Sequence, residues 1–260
     1  MNPRKKKMAY KDAIFISSHK FIGGPQTPGI LVAKRWLFKN KIPHGVGGGT
    51  VAFVTRKNHY YRRQVEEREE GGTPGIIESI RAGLVFKLKN ALGANFIMER
   101  EYALFRLAAD SWSMNPRLVI LGSLIPERLP IFPLLFYHEQ SGRFVHHDFV
   151  ALILNDVFGI QVRSGCACAA PYGMVGSAPL CASYFNMNTK ISIEISIHFS
   201  ILKTFSMPGF VRLNFPYFIS EDCFDFVVKA IELVADKGWS LLPLYQFDRD
   251  TGSWFFADKS

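Results

Sequence analysis

The alternation of apolar and polar positions changes period several times along this chain of 260 residues. Asp12 to Ile16 is a short, mostly apolar run that reads as a strand, and Ile30 to Lys34 reads as a second. The turn between them is polar and glycine-rich: Ser17-Ser18-His19-Lys20-Phe21-Ile22-Gly23-Gly24-Pro25-Gln26-Thr27-Pro28-Gly29. A second glycine-rich loop, Pro43 to Thr50, leads into the apolar stretch Val51 to Val54. A third, Glu70-Gly71-Gly72-Thr73-Pro74-Gly75, opens a helix. Ile76, Ile77, Ile80, Leu84 and Leu88 recur there at helical spacing, and Gly93 supplies the stop. Arg100 to Trp112 carries a second helical pattern through Leu104, Leu107, Ala108 and Trp112.

The texture changes at Met114-Asn115-Pro116, which breaks the helix, and a domain boundary is expected near Ser113. Leu118 to Leu121 and Leu129 to Tyr137 read as strands. Asp148 to Phe158 reads as a helix with Phe149, Leu152, Ile153 and Val157 facing inward, ended by Gly159. His146 and His147 precede it. Adjacent residues do not face one another on a helix, so the pair predicts a helix entry rather than a metal site. Ile160 to Val162 begins a short strand and runs into Arg163-Ser164-Gly165-Cys166-Ala167-Cys168-Ala169-Ala170-Pro171. Ile191 to Ile201 alternates apolar and polar without a break, the period of a half-buried strand. Phe210 to Phe215 is a further strand with Arg212 in its middle. Ser220 is the expected N-cap of the last long helix, whose predicted apolar face is Phe226, Val227, Ala230, Ile231 and Val234. Gly238 ends it, and the aromatic tail Leu241 to Phe256 is expected to pack on the core.

Composition narrows the class. Apolar residues make up 48% and charged residues 20%, which is globular. No apolar run reaches the roughly 18 residues of a membrane span. The basic start, Met1 to Lys7, has no apolar segment behind it, so no secretory signal is expected. Four cysteines are too few for a disulfide scaffold at this length, so reduced thiols and a cytoplasmic location are expected. The net charge is +9, yet its densest cluster after the N-terminus interleaves Arg62, Arg63 and Arg68 with Glu66, Glu67, Glu69 and Glu70. Mixed signs of that kind mark a solvated face, and no nucleic-acid partner is expected. An anionic cofactor or substrate suits the positive field.

Four features carry the chemistry. Lys20 stands in a rigid turn, as an amine must to form a Schiff base with a carbonyl cofactor. Glycines in the loops let a backbone approach a ligand closely. Cys166 and Cys168 sit in a glycine-containing loop near Arg163, which favours the thiolate. Arg212, within an apolar strand, offers a planar two-pronged donor for a carboxylate. Ser-x-His-Lys with Gly-Gly-Pro, Gly-Gly-Gly-Thr, Glu-x-Gly-Thr-Pro and Arg-Ser-Gly-Cys-Ala-Cys-Ala-x-Pro occur in that order. In this the chain resembles the class V aminotransferase and cysteine desulfurase family, fold-type I enzymes that use pyridoxal 5'-phosphate.

The resemblance implies an α/β fold: the C-terminal part of a large cofactor domain over residues 12–112, then a smaller α+β domain over 113–260. Residues 1–11 form a polar tail, and residues 175–206 depart from the family as an atypical insertion. It implies that Lys20 holds the cofactor and that Ser17 and His19 donate to its phosphate. Thr50 would reach the phosphate of a neighbouring subunit, so the active unit would be a homodimer. Arg212, with Arg163 nearby, would bind the carboxylate of an amino-acid substrate. Cys168 falls where desulfurases carry the thiol that takes sulfur from cysteine. Family members also carry a half before the lysine, with a ring stacked on the cofactor and an aspartate on its pyridine nitrogen. Only eleven residues precede Asp12. The expected function is therefore a desulfurase-like or aminotransferase activity on an amino acid, the alternative being a truncated, non-catalytic remnant.

Overall fold

The computed structural model describes residues 10–165, 167, 209–248 and 251–257. Two compact units divide between Ala94 and Asn95.

In the first unit, β1 (Ala13–Ser17) and β2 (Gly29–Ala33) form an antiparallel hairpin, with Ala13 opposite Ala33 and Ser17 opposite Gly29. β3 (Val51–Val54) and β4 (His59–Tyr61) form another. A short helix, α1 (Val65–Glu69), precedes α2 (Ile76–Leu92), which stops at Gly93 with φ +84°. The strands and α2 stand where the periodicity places them. The apolar face of α2 does not become a core, however. Ile76, Ile77, Ile80 and Leu84 are all more than half exposed, while Ala82 and Val85 are buried. Periodicity reports which face of a helix is apolar, not what covers it.

The second unit is built on a four-stranded antiparallel sheet. Its central strand, β6 (Ile131–His138), pairs with β5 (Leu118–Ile120), β7 (Arg143–Phe144) and β8 (Val211–Asn214). Three helices pack on it: α3 (Ala94–Ser113), α4 (His147–Phe158) and α5 (Glu221–Lys237). A 3-10 stretch, Gly238–Leu244, leads to the hairpin β9 (Tyr245–Asp248) and β10 (Ser253–Phe256). The unit begins ahead of the expected boundary near Ser113, because α3 buries Leu104, Phe105, Ala108, Ala109 and Trp112 in this core. Trp112 is fully buried, sets its ring edge-on to Phe132 at 4.8 Å, and donates its Nε1–H to Val228 O at 3.3 Å. A buried indole needs such a partner.

Local details follow the sequence in part. Gly159 caps α4 in the left-handed region at φ 67°, and Ser220 caps α5 by accepting from Cys223 N at 3.3 Å. The aromatic tail packs as expected, with Trp254 and Tyr245 against Phe149 at 5.0 and 5.4 Å. Three expectations are corrected. Val157 on α4 is 54% exposed and Phe226 on α5 is 50% exposed. The buried stripe of α5 runs through Phe224, Val228, Ile231 and Ala235, and Phe226 lies about 200° round the helix from Phe224. Ile160 to Val162 is not a strand; only Arg163 makes a bridge, to Arg212. The strand expected over Ile191–Ile201, and the atypical segment around it, lie outside the described residues. Among the described residues no helix is long and apolar enough to cross a membrane.

Candidate functional site

β1 delivers the chain into a 3-10 turn, Ser18–Lys20, closed by Phe21 N donating to Ser18 O at 3.2 Å. Two hydroxyls build the rest of the loop. Ser18 is fully buried and donates to Pro28 O at 2.6 Å; Thr27 is buried and donates to Gly23 O at 2.6 Å. Gly23 admits no side chain, since a Cβ there would lie 2.7 Å from Thr27 Oγ1 and 2.8 Å from Ser18 O. Helix α2 ties the loop down: Arg81 Nη1 donates to Pro25 O at 2.9 Å, and Phe86 meets Phe21 edge-on at 5.6 Å. The turn presents His19 and Lys20 to the exterior, with Ser17 half-buried beside them. Ser18 and Thr27 are scaffold residues that the sequence reading passed over. Their signal was present, as hydroxyls bracketing a Gly-Gly-Pro turn.

The second and third glycine loops meet. Gly72 N donates to Gly48 O at 2.9 Å, and a Cβ on Gly47 would lie 2.9 Å from Gly71 C. Only glycine permits this approach. Thr50 is 1% exposed and its hydroxyl donates to Gly47 O at 2.6 Å, which closes its own loop. Arg68, on α1, is buried; its Nε donates to Glu69 Oε1 at 3.2 Å and its Nη2 has no hydrogen-bond partner.

In the second unit the structure brings the two candidate arginines together. Arg163 N donates to Arg212 O at 3.2 Å, and Arg212 N to Arg163 O at 2.6 Å. In such an antiparallel pair both Cβ atoms lie on the same side. Phe210 N also donates to Gly165 O at 3.0 Å, so β8 and the residue before it hold the backbone on both sides of Ser164. Half-buried Arg212 lines a cleft of about 480 Å³ with Arg128, Ile131, Phe210 and Ala167. Among the described residues the lining is mainly apolar; the Arg128 guanidinium donates to Ser123 O at 3.2 Å and Ile131 O at 2.7 Å. Cys166 and Cys168 lie outside the described residues, which include their neighbours Gly165 and Ala167. Ser17, His19, Lys20 and Thr50 belong to the first unit, Arg163 and Arg212 to the second.

Next to this loop, His146, His147 and Asp148 offer ligand atoms within 4.8 Å of one another. These atoms are already engaged. His146 Nδ1 accepts from Asp148 N at 3.3 Å and from Trp254 Nε1 at 3.2 Å. The Asp148 carboxylate accepts from His147 Nδ1 at 2.9 Å. Burial, then the neighbouring His147, lowers His146 below its usual pKa, in keeping with a neutral ring that accepts at Nδ1. The hydrogen bond from His147 is the largest cause that lowers Asp148 to about 2, with one from Ser164 adding to it. The pair stands at the helix entry with the Nδ1 atom of each ring hydrogen-bonded.

Comparison with known proteins completes the description. Residues 6–196 match the family model described as aminotransferase class-V. A cysteine desulfurase of Escherichia coli O127:H6 is 31% identical over 160 residues, covering 62% of this chain and 37% of the relative. One from Shigella flexneri is 30% identical over 185 residues, covering 70% of this chain and 43% of the relative. The chain therefore spans less than half the length of these relatives. Among solved structures, an apo cysteine desulfurase from Thermococcus onnurineus superposes with a TM-score of 0.63 at 22% identity, over 88% of this chain and 48% of that one. The cysteine desulfurase CsdA of Escherichia coli gives 0.62 at 20% identity, over 88% and 46%. The fold is that of the corresponding part of these fold-type I proteins.

Proposed function

The chain belongs to the class-V aminotransferase family, and on that premise we propose that it is the lysine-bearing and carboxylate-binding portion of an enzyme acting on an amino acid, desulfurase-like in its chemistry. Members of this family and the cysteine desulfurases depend on pyridoxal 5'-phosphate. The residues present fit that group. Ser17, His19 and exposed Lys20 gather a hydroxyl, an imidazole and an amine in four positions, on a turn held by buried Ser18 and Thr27. When bound, the cofactor withdraws electrons from the α-carbon of an amino acid. Lys20 would hold its carbonyl carbon, and Ser17 and His19 would hold its phosphate. Thr50, at the end of the second glycine loop, would reach the phosphate held by a second copy in a homodimer, its hydroxyl leaving Gly47 O to do so.

The observation that carries the reading is the coupling of Arg212 to the thiol loop. The strand that carries Arg212 to the cleft is hydrogen-bonded to Arg163, and Phe210 just before it to Gly165, residues that precede Cys166 and Cys168 in the chain. In this reading a substrate is held by its carboxylate at Arg212 and Cys168 is the sulfur acceptor. A cytoplasmic setting, where thiols stay reduced, belongs to the same reading. Incubating the full chain with pyridoxal phosphate and cysteine tests it. Intact-protein and peptide mass spectrometry should find one added sulfur on Cys168, absent in Cys168→Ser and diminished in Arg212→Ala. Release of 3-mercaptopyruvate, with its sulfur retained and none on Cys168, points to amino-group transfer instead.

One observation favours the second reading, a non-catalytic remnant. Ile76, Ile77, Ile80 and Leu84 on α2, and Phe15 and Val32 on the β1–β2 hairpin, are exposed apolar side chains in the unit that carries Lys20. A chain of this kind that takes up no cofactor is a remnant.

A further inference from the structure

The sheet of the second unit has two unlike faces. Leu118, Phe132, Leu134, Val211 and Leu213 enter the main core, and the alternate residues Leu121, Leu135 and Phe210 form a smaller apolar cluster on the other face. Arg212 lies on that other face. Its N and O both bond to Arg163, so it stands opposite Pro133 of β6 in a pair without mutual hydrogen bonds, the kind whose side chains lie closest. Leu121 N donates to Pro133 O at 2.9 Å and continues the row. The connection from β5 to β6 departs at once from Leu121. Gly122 turns it with φ +89°, and Gly122 and Pro126 line the same cleft as Arg212. Arg128 joins the start of this loop to its end. Its Nη1 donates to Ser123 O at 3.2 Å and its Nη2 to the O of Ile131, the first residue of β6, at 2.7 Å. Its Cζ lies 5.4 Å from the centre of the fully buried Phe105 ring, which stacks on Phe132 at 5.4 Å.

We propose that Arg128 is a positioning residue that sets side-chain specificity in the Arg212 cleft: it clamps the β5–β6 loop so that Gly122 and Pro126, with Ile131 and Pro133, form a fixed apolar wall beside the guanidinium that takes the carboxylate. This deepens the proposed function and rests on Arg212 as the carboxylate holder. The amino acids such a wall favours have apolar side chains. A side-chain carboxylate would find Arg128 already engaged by two carbonyls and the Phe105 ring. A side-chain cation would meet two guanidiniums and, among the described lining residues, no carboxylate. The clamp needs a planar fork, which a guanidinium supplies and an ammonium does not. Arg128 acts through the loop and does not itself touch substrate in this scheme.

The test is amide hydrogen exchange and amino-acid titration on the full chain, neither of which needs cofactor or turnover. The Ile125 and Ile131 amides, bonded to Ser123 Oγ and Leu129 O, report on the two ends of the loop. Arg128→Ala should speed their exchange by about tenfold, the loss of a charge-assisted hydrogen bond, and leave Ile153 in the core unchanged. Titrations are read by nuclear magnetic resonance at the Phe210 and Arg212 amides. Wild type should bind L-norvaline about tenfold more tightly than L-alanine, since each buried methylene is worth up to about fourfold. L-aspartate should bind no more tightly than L-alanine. Arg128→Ala should keep the affinity for L-alanine, because Arg212 remains, and lose the preference for L-norvaline. Arg128→Lys should recover little of that preference, and it decides if Arg128→Ala does not fold. Unchanged exchange at Ile125 and Ile131 overturns the proposal. So does faster exchange with an unaltered preference for L-norvaline, or tighter binding of L-aspartate than of L-norvaline. Failure of the carboxylate reading looks different: wild type binds none of the three amino acids, or Arg212→Ala binds them as wild type does. That result removes Arg212 from substrate binding and the specificity role of Arg128 with it.

Discussion

Arg163 and Arg212 exchange two backbone hydrogen bonds across an antiparallel bridge, at 3.2 and 2.6 Å, with both side chains on one side of it. Arg212, which lines the cleft, is the proposed holder of the substrate carboxylate. Arg212→Ala should therefore raise the KM or Kd for the amino acid about 10- to 100-fold, the worth of a charge-assisted hydrogen bond or pair. Arg212→Lys should recover only part, because an ammonium cannot make the two-pronged contact. Steady-state kinetics, or ligand titration in the absence of turnover, checks this. Equal affinity in wild type and Arg212→Ala would remove Arg212 from substrate binding.

The turn that presents Lys20 depends on Gly23, whose place a Cβ would dispute with Thr27 Oγ1 and Ser18 O at 2.7 and 2.8 Å. Gly23→Ala should destabilise this turn by about 1–3 kcal/mol through overpacking. Ser18→Ala, which leaves Pro28 O without its donor, should cost about 1–3 kcal/mol. Both should weaken cofactor uptake at Lys20 even though neither residue touches the cofactor. Denaturant titration paired with cofactor titration reads the two effects separately.

Core and surface positions in the second unit should separate cleanly. Trp112→Ala removes a fully buried indole and its bond to Val228 O, and should cost about 3–5 kcal/mol. Phe226→Ala, at a half-exposed position, should stay within about 1 kcal/mol. Chemical denaturation followed by tryptophan fluorescence and circular dichroism distinguishes them. A large cost at Phe226 would mean that another surface covers it.

Acid should weaken the second unit in two windows. His146 is lowered from its ordinary 6.5, first by burial, so the folded state favours the neutral ring. Its contribution is present above 6.5 and is lost as pH falls below that through the lowered value. Asp148 is lowered from 3.8 to about 2, first by the His147 hydrogen bond. Its contribution is present above 3.8 and is lost as pH falls toward 2. Asp148→Asn should flatten stability in the lower window and keep the slope in the upper one. Urea midpoints measured from pH 7 to pH 2.5 test this, and the same lower-window slope in both proteins would contradict it.

How much was legible in the chain depended on range. The hairpin around Lys20, helix α2 with its Gly93 stop, the Ser220 cap and the strand carrying Arg212 are local patterns, and the structure has them where the residues place them. What an apolar face meets is not local. Ile76, Ile80 and Phe226 look like core residues in sequence and are exposed, while Trp112 takes α3 into the second unit. At the site, residue type was legible and local contacts were not: that the Thr50 hydroxyl donates to Gly47 O is set by the fold of its loop. The pairing of Arg163 with Arg212 joins segments far apart in the chain, and neither segment alone announces it.

Borohydride reduction of the full chain in the presence of pyridoxal 5'-phosphate, followed by peptide mass spectrometry, tests the central claim most directly. The account predicts a pyridoxyl adduct on Lys20, with loss of the visible absorption band and of the adduct in Lys20→Ala. No adduct at Lys20, or equal labelling spread over the surface lysines and unchanged in Lys20→Ala, would contradict it.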